Sequence, residues 1–70
     1  MRSGFWGEVD ALYRFARRRG WRLITFPLIP FTAWPPIYVD APRIIGHTPR
    51  QAQETIEKWD AKHGRLPEKE

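Results

Sequence analysis

The apolar segment PLIPFTAWPP, residues 27–36, constrains the fold of this chain more than any other feature. It has prolines at positions 27, 30, 35 and 36. Because proline lacks a backbone N–H and has a fixed φ, neither a regular helix nor a central strand is expected within this segment. Regular elements are therefore expected before and after it, with the segment between them as an apolar connector.

The core that this chain can form is small. Its 70 residues fit one domain, and a domain of that size buries roughly 60% of its unfolded surface, which leaves its stability marginal. The sequence has no cysteine, which excludes disulfides, thiolate metal sites and cysteine nucleophiles. Four tryptophans, four phenylalanines and two tyrosines can supply a large buried area per residue, so the core is expected to be aromatic.

The first predicted helix precedes the connector. Ser3 can cap it, although Gly7 within the pattern is costly in a helix and could mark a later start. Gly20 is expected to end it. Apolar residues recur at helical spacing along one side: Phe5, Val9, Leu12 and Ala16.

The second predicted helix covers TPRQAQETIEKWDAKH, residues 48–63. Thr48 is expected to cap it, Pro49 to occupy the first helical position, and Gln51 to complete a T-x-x-Q capping box. Gly64 is expected to end the helix. A narrow stripe recurs at helical spacing: Ala52, Ile56, Trp59 and His63.

Two short strands are predicted between the helices. WRLITF, residues 21–26, is rich in β-branched and aromatic residues, and IYVD, residues 37–40, is a second candidate. The order α-β-β-α predicts a small α+β fold, with two helices packed on a short β-hairpin or two-stranded sheet. We predict a single domain over residues 1–64 and a frayed tail over residues 65–70.

Positive charge is concentrated in the first half of the chain. Residues 1–35 contain six arginines against two acidic residues, whereas residues 36–70 are balanced. A basic half can attract nucleic acid, an acidic protein surface or anionic lipid. The first twenty residues are too charged for a secretory signal, so the sequence predicts a cytoplasmic protein.

The second helix ends in WDAKHG, residues 59–64. With the helix, strand and strand before it, this ending resembles the N-terminal part of the ImmA/IrrE-type zinc metallopeptidases, whose motif helix carries H-E-x-x-H. Trp59 stands at the position of the first histidine, Asp60 at that of the general-base glutamate and His63 at that of the second histidine. The resemblance covers residues 8–64 and implies a degenerate motif, since His63 alone matches.

The residue types also argue against catalysis. A catalytic zinc needs three protein ligands and a carboxylate base, and tryptophan cannot be a ligand. His47 and His63 are the two histidines, so a third ligand would have to be a carboxylate such as Asp40 or Asp60. Ser3 is the one serine, and the chain has no glycine-rich phosphate loop. We therefore predict no catalytic residues, no metal, no cofactor and no enzymatic activity.

The connector is the first candidate binding surface. Its apolar side chains are Leu28, Ile29, Phe31 and Trp34. Exposed aromatic anchors on a backbone restricted by proline are favourable in protein interfaces. The alternative is that these side chains cover a small core. Residues 23–39 carry no charge, but prolines argue against a membrane-spanning helix, so membrane association is the least favoured alternative.

An arginine cluster is the second candidate surface. Its members are Arg14, Arg17, Arg18, Arg19 and Arg22. It could contact phosphate groups, with Trp21 stacking on a base, or it could simply form a solvated helix end with Trp21 in the core. The leading prediction is a regulator or inhibitor, of a phage or mobile-element type, that binds a protein partner with an acidic surface; nucleic-acid binding is the alternative. The oligomeric state is not predicted.

Overall fold

The fold has two helices and a two-stranded sheet. A computed structural model describes residues 4–26, 28–34 and 37–64. The elements are α1 (Gly4–Arg18), β1 (Phe31–Thr32), β2 (Ile44–Gly46) and α2 (Pro49–Lys62). β1 and β2 are antiparallel neighbours. The predicted α+β class and the α-β-β-α order are confirmed, whereas the predicted tail at residues 65–70 lies outside the described residues.

The first predicted strand is extended but is not a strand of the sheet. Within residues 21–26, Leu23 forms an isolated antiparallel bridge with Ala33, and the N–H of Ile24 donates to the carbonyl of Thr32 at 2.8 Å. This segment pairs with the connector itself, which folds back beside it. The β-branched pattern therefore located an extended segment correctly but not the strands of the sheet.

The second predicted strand, residues 37–40, is wrong. It forms bends and a turn, in which the N–H of Ala41 donates to the carbonyl of Tyr38 at 3.1 Å. The strands are instead β1 and β2, and β1 lies inside the connector. It falls between Pro30 and Pro35, where each residue keeps its N–H, so the prolines limit the length of the strand without excluding it.

α1 ends at a glycine motif that the sequence predicted. Gly20 has a φ of 85°, a left-handed conformation that favours glycine. The N–H of Trp21 donates to the carbonyl of Ala16 at 2.8 Å, and the N–H of Gly20 donates to the carbonyl of Arg17 at 3.1 Å. This pair of bonds satisfies the last carbonyls of the helix. The predicted cap at Ser3 lies outside the described residues.

α2 begins and ends largely as predicted. Thr48 is the N-cap, and its Oγ1 accepts from the N–H of Gln51 at 3.1 Å, with Pro49 in the first turn. The side chain of Gln51 accepts from the N–H of His47 at 3.0 Å, one residue before the position that a capping box would use. Gly64 follows the helix with a φ of 80°.

The core lies between the two helices and the sheet. It consists of nine buried apolar residues: Val9, Leu12, Ala16, Trp21, Phe31, Ala33, Ile45, Ala52 and Ile56. The predicted apolar faces of both helices contribute to it, although Phe5 at the start of α1 is exposed. Two of its members are aromatic, and others such as Tyr13 and Trp59 pack against it while partly exposed. The core is therefore less aromatic than the composition predicts.

Gly46 lies where β2 passes closest to α2. A Cβ atom added there would lie 2.7 Å from the backbone nitrogen of Ala52 and 2.9 Å from the Cβ of Gln51. We expect Gly46→Ala to lower the free energy of unfolding by about 1–3 kcal/mol through overpacking, as measured by urea denaturation. Gly4→Ala is the control, because a Cβ there meets nothing within 4 Å. Equal stability of the two variants would contradict this close approach.

Candidate functional site

Asp60 is a buried carboxylate that joins three parts of the chain. It is 2% exposed. Its Oδ2 accepts from Nη1 of Arg19 at 2.8 Å, and its Oδ1 accepts from Nε1 of Trp21 at 3.1 Å and from the hydroxyl of Tyr38. These donors follow α1 or belong to the turn before β2. The carboxylate therefore holds the C-terminal half of α2 against both segments.

This arrangement gives Asp60 a structural role rather than the role of a general base. Both of its oxygens accept hydrogen bonds from protein groups, so the carboxylate is enclosed by its donors. The prediction that Arg19 belongs to an exposed basic patch is wrong. Arg19 is buried, its guanidinium also lies 4.6 Å from the ring centre of Phe15, and its charge is compensated by Asp60.

His63 lies at the C-terminal end of α2 and stacks on the turn. Its ring is parallel to that of Tyr38, with the ring centres 4.0 Å apart. Its Nε2 lies 3.0 Å from Oδ1 of Asp40, and the side chain is 31% exposed. The ring also stacks on that of Trp59, with the ring centres 5.9 Å apart, so two aromatic neighbours lie against this side chain.

Asp40 lies between two basic side chains. Desolvation raises its pKa, but its backbone hydrogen bond and the charges of His63 and Lys62 outweigh this effect, so the pKa of Asp40 lies below its usual value. Asp40 and His63 are adjacent, yet within the described ranges no group of three histidine, cysteine, aspartate or glutamate side chains could hold a metal ion. The 3.0 Å contact between their side chains joins the turn to the C-terminal end of α2.

An exposed surface on the sheet is the strongest candidate binding site. It contains four residues, which we call the outer sheet face: Thr32, Trp34, Arg43 and Ile44. Trp34 is 50% exposed and Ile44 is 53% exposed. The guanidinium of Arg43 lies 4.2 Å from the ring centre of Trp34, and Thr32 pairs with Ile44 across the sheet. The face thus combines an aromatic ring, an aliphatic side chain and a positive charge.

The connector residues predicted to bind a partner do not share one surface. Trp34 and Ile29 are exposed as predicted, but the prediction for Phe31 is wrong, since it is 0% exposed. Side chains alternate between the two faces of an extended segment. Phe31 and Ala33 therefore face the core, and Trp34 faces solvent. Locating β1 within the connector would have revealed this alternation from the sequence.

Leu28 belongs to a different surface. It lines a groove of about 420 Å³ with residues of α1 and of the extended segment: Trp6, Val9, Asp10, Tyr13 and Thr25. Trp6 is exposed, and its ring packs against that of Phe5 in a T-shaped arrangement with the ring centres 5.3 Å apart. The helical pattern predicted that Phe5 faces the core, and it did not show the exposure of Phe5, because helical periodicity does not show where a packed partner ends.

The predicted basic patch is divided by the fold. One depression of about 510 Å³ is lined by Arg14, Arg17 and Arg22. Arg18 is exposed and is not one of the residues that line it. Trp21, the proposed stacking residue, is buried and donates to Asp60. The alternative that Trp21 belongs to the core is therefore correct.

The structure defines the chain as a small α+β protein with two helices on a two-stranded sheet. A comparison with protein-family models, with curated proteins and with solved structures found no match. The resemblance to the ImmA/IrrE-type peptidases stays a prediction. Within the described ranges, neither helix combines the length and apolar character needed to cross a bilayer.

Proposed function

We propose that this protein is a non-catalytic binding protein whose outer sheet face contacts a protein partner. The observation that carries the proposal is the position of Trp34. Trp34 is 50% exposed just beyond β1, and the guanidinium of Arg43 lies 4.2 Å from the centre of its ring. A large aromatic side chain already held in place loses little entropy on binding, and such residues contribute strongly to protein interfaces.

The charge of the protein indicates the chemistry of the partner. The chain has a net charge of +4, and Arg43 places a cation on the outer sheet face itself. Ile44, the next residue in the chain, adds an exposed aliphatic side chain. A matching surface would have an apolar centre and acidic residues around it, since complementary charges speed association and select the partner. The role of a regulator or inhibitor of a phage or mobile-element type rests on small size and the ImmA/IrrE resemblance.

Nucleic-acid binding is the second candidate function. Arg14, Arg17 and Arg22 line one depression, and arginine contacts to phosphates give strongly salt-dependent affinity. The burial of Trp21 removes the base-stacking residue that the sequence offered for this role. The protein-binding candidate is favoured because its aromatic residue, Trp34, is exposed.

Trp34→Ala distinguishes an interface residue from a core residue. We expect the variant to weaken partner binding by about 2 kcal/mol or more, as at interface hot spots. Its free energy of unfolding should fall by about 1 kcal/mol, well below the loss for a buried aromatic residue. Binding titrations with the captured partner and thermal denaturation would measure the two effects. Trp6→Ala, an exposed tryptophan outside the face, is the control and should retain binding.

A further inference from the structure

Three arginines from neighbouring segments line one depression on the surface. Arg14 and Arg17 belong to α1, Arg22 follows the glycine turn, and the depression has a volume of about 510 Å³. Arg14 and Arg17 are three positions apart and therefore lie on the same side of the helix. The left-handed turn at Gly20 redirects the chain, so that Arg22 lines the same depression.

The positive charge of this depression is largely uncompensated. Among its lining residues Asp10 is the one carboxylate, and it pairs with Arg14 at 3.0 Å. Within the part of the chain that the structure describes, neither Arg17 nor Arg22 forms an ion pair. The C-terminal end of α1 carries a partial negative charge of about half an elementary unit, which offsets only part of the positive charge of these two arginines. Two guanidinium groups thus carry a net positive charge into the depression.

Three uncharged side chains form the wall of the depression, and hydrogen bonds hold two of them in place. Trp21 is buried with its indole N–H bound to Asp60. The hydroxyl of Tyr13 donates to the carbonyl of Ile24 at 3.0 Å, and burial raises the pKa of Tyr13, so this hydroxyl stays protonated. Leu23 completes the wall. These uncharged side chains take the place of water beside the arginines and so reduce the screening of their positive charge.

We infer that this depression binds a phosphate monoester, with Arg17 and Arg22 as its main ligands and Arg14 at its edge. The planar guanidinium group can donate two parallel hydrogen bonds to phosphate oxygens. A monoester carries a charge of about −1.5 to −2 near neutral pH, which matches two uncompensated guanidinium groups. The site is separate from the outer sheet face and adds a ligand that the proposed function does not require.

The geometry favours a monoester over a single-stranded nucleic acid. Nonspecific binding of single strands combines a basic groove with exposed rings on which bases stack. In this depression Trp21 is buried and Tyr13 is partly buried with its hydroxyl engaged. A phosphorylated side chain and a nucleotide share the monoester chemistry and are the two sources of ligand to be distinguished.

The test is a titration of the ¹⁵N-labelled protein with inorganic phosphate at constant ionic strength, with chloride as the balancing anion. We expect saturable chemical-shift changes centred on Arg17 and Arg22. The double variant Arg17→Gln with Arg22→Gln should weaken binding by about tenfold or more, since each loses charged hydrogen-bond donors. Arg18→Gln is the matched control, because Arg18 shares the last turn of α1 but lies outside the depression. The affinity of the Arg18→Gln variant for phosphate should equal that of the native protein.

Further titrations identify which kind of monoester is the ligand and provide results that would overturn the inference. Adenosine monophosphate and a phosphoserine peptide, each compared with its unphosphorylated form, show which monoester binds more tightly, and phosphate-dependent binding of either supports the inference. The single variant Arg22→Gln repeats the phosphate titration with a substitution that lies outside α1. Any loss of binding in this variant therefore does not depend on a change in the helix. Shifts that never saturate, or equal weakening by Arg18→Gln, would overturn it. So would an oligonucleotide without terminal phosphates that binds as tightly as the monoesters.

Discussion

Asp60→Ala is expected to lower the free energy of unfolding by about 3–5 kcal/mol, because it leaves the guanidinium of Arg19 buried without a countercharge. The change also removes the acceptor for Trp21 and Tyr38. A domain of this length has a total stability of roughly 4–10 kcal/mol, so the variant should be close to unfolding. Urea denaturation followed by tryptophan fluorescence would measure the loss.

Two comparisons separate this effect from the loss of any ion pair. Asp10→Ala removes a carboxylate from an exposed pair with Arg14, and it should cost about 0–1 kcal/mol. The double variant Arg19→Met with Asp60→Leu replaces the buried pair with apolar groups and should recover much of the stability lost in Asp60→Ala. If Asp60→Ala were as stable as Asp10→Ala, the buried network would not hold α2 in place.

Phe31→Ala is expected to cost about 3–5 kcal/mol, the range for truncation of a buried phenylalanine. Phe31 is 0% exposed, and its ring packs against that of Tyr13 in a T-shaped arrangement with the ring centres 6.4 Å apart. The removed ring would leave a cavity between β1 and α1. Thermal denaturation would show the loss as a lower midpoint of unfolding.

Phe26→Ala is the matched control for this core position. Phe26 is exposed, and its truncation should change stability by about 0.5 kcal/mol or less. If Phe31→Ala kept its stability but lost binding to a partner, the prediction that Phe31 belongs to the binding surface would be correct. Its placement in the core would then be contradicted.

The sequence was most informative about the helices, because their signals are local. Thr48 and Gln51 are three residues apart, and the glycines at positions 20 and 64 follow directly after the turns that they end. Propensity and capping act within one turn of helix, so a single sequence shows them. The class and order of the fold followed from these boundaries and from the β-branched segments between them.

The strand positions were harder to predict because pairing depends on distant segments. β1 is two residues long and its partner Ile44–Gly46 lies beyond a turn, so neither shows the longer alternation by which strands are recognised. The proline rule was also applied too widely. Each proline lacks the N–H that would donate a hydrogen bond to a neighbouring strand, but the residues between Pro30 and Pro35 keep theirs and can pair.

The candidate sites were predicted only where exposure followed from the local pattern. The exposure of Trp34 was predicted correctly. Arg43, which lies over its ring, and Ile44, which pairs with Thr32, were missed because pairing between distant segments brings them to this face. The contact between Arg19 and Asp60 spans 41 residues and has no local signature. A charged residue in an arginine run is usually solvated, and its burial depends on a carboxylate supplied by another element.

The most direct test of the proposed function is capture of a partner by tagged protein from a lysate of its organism, treated with nuclease at low and high salt. Three forms would be compared: the native protein, Ile44→Thr and Val39→Thr. Both substitutions replace an exposed β-branched side chain with threonine. Val39 is 100% exposed and serves as the control because it lies outside the outer sheet face. We predict that the native protein and Val39→Thr recover the same nuclease-resistant protein and that Ile44→Thr loses it. Equal recovery by all three forms, or material that nuclease and high salt remove, would contradict the proposal.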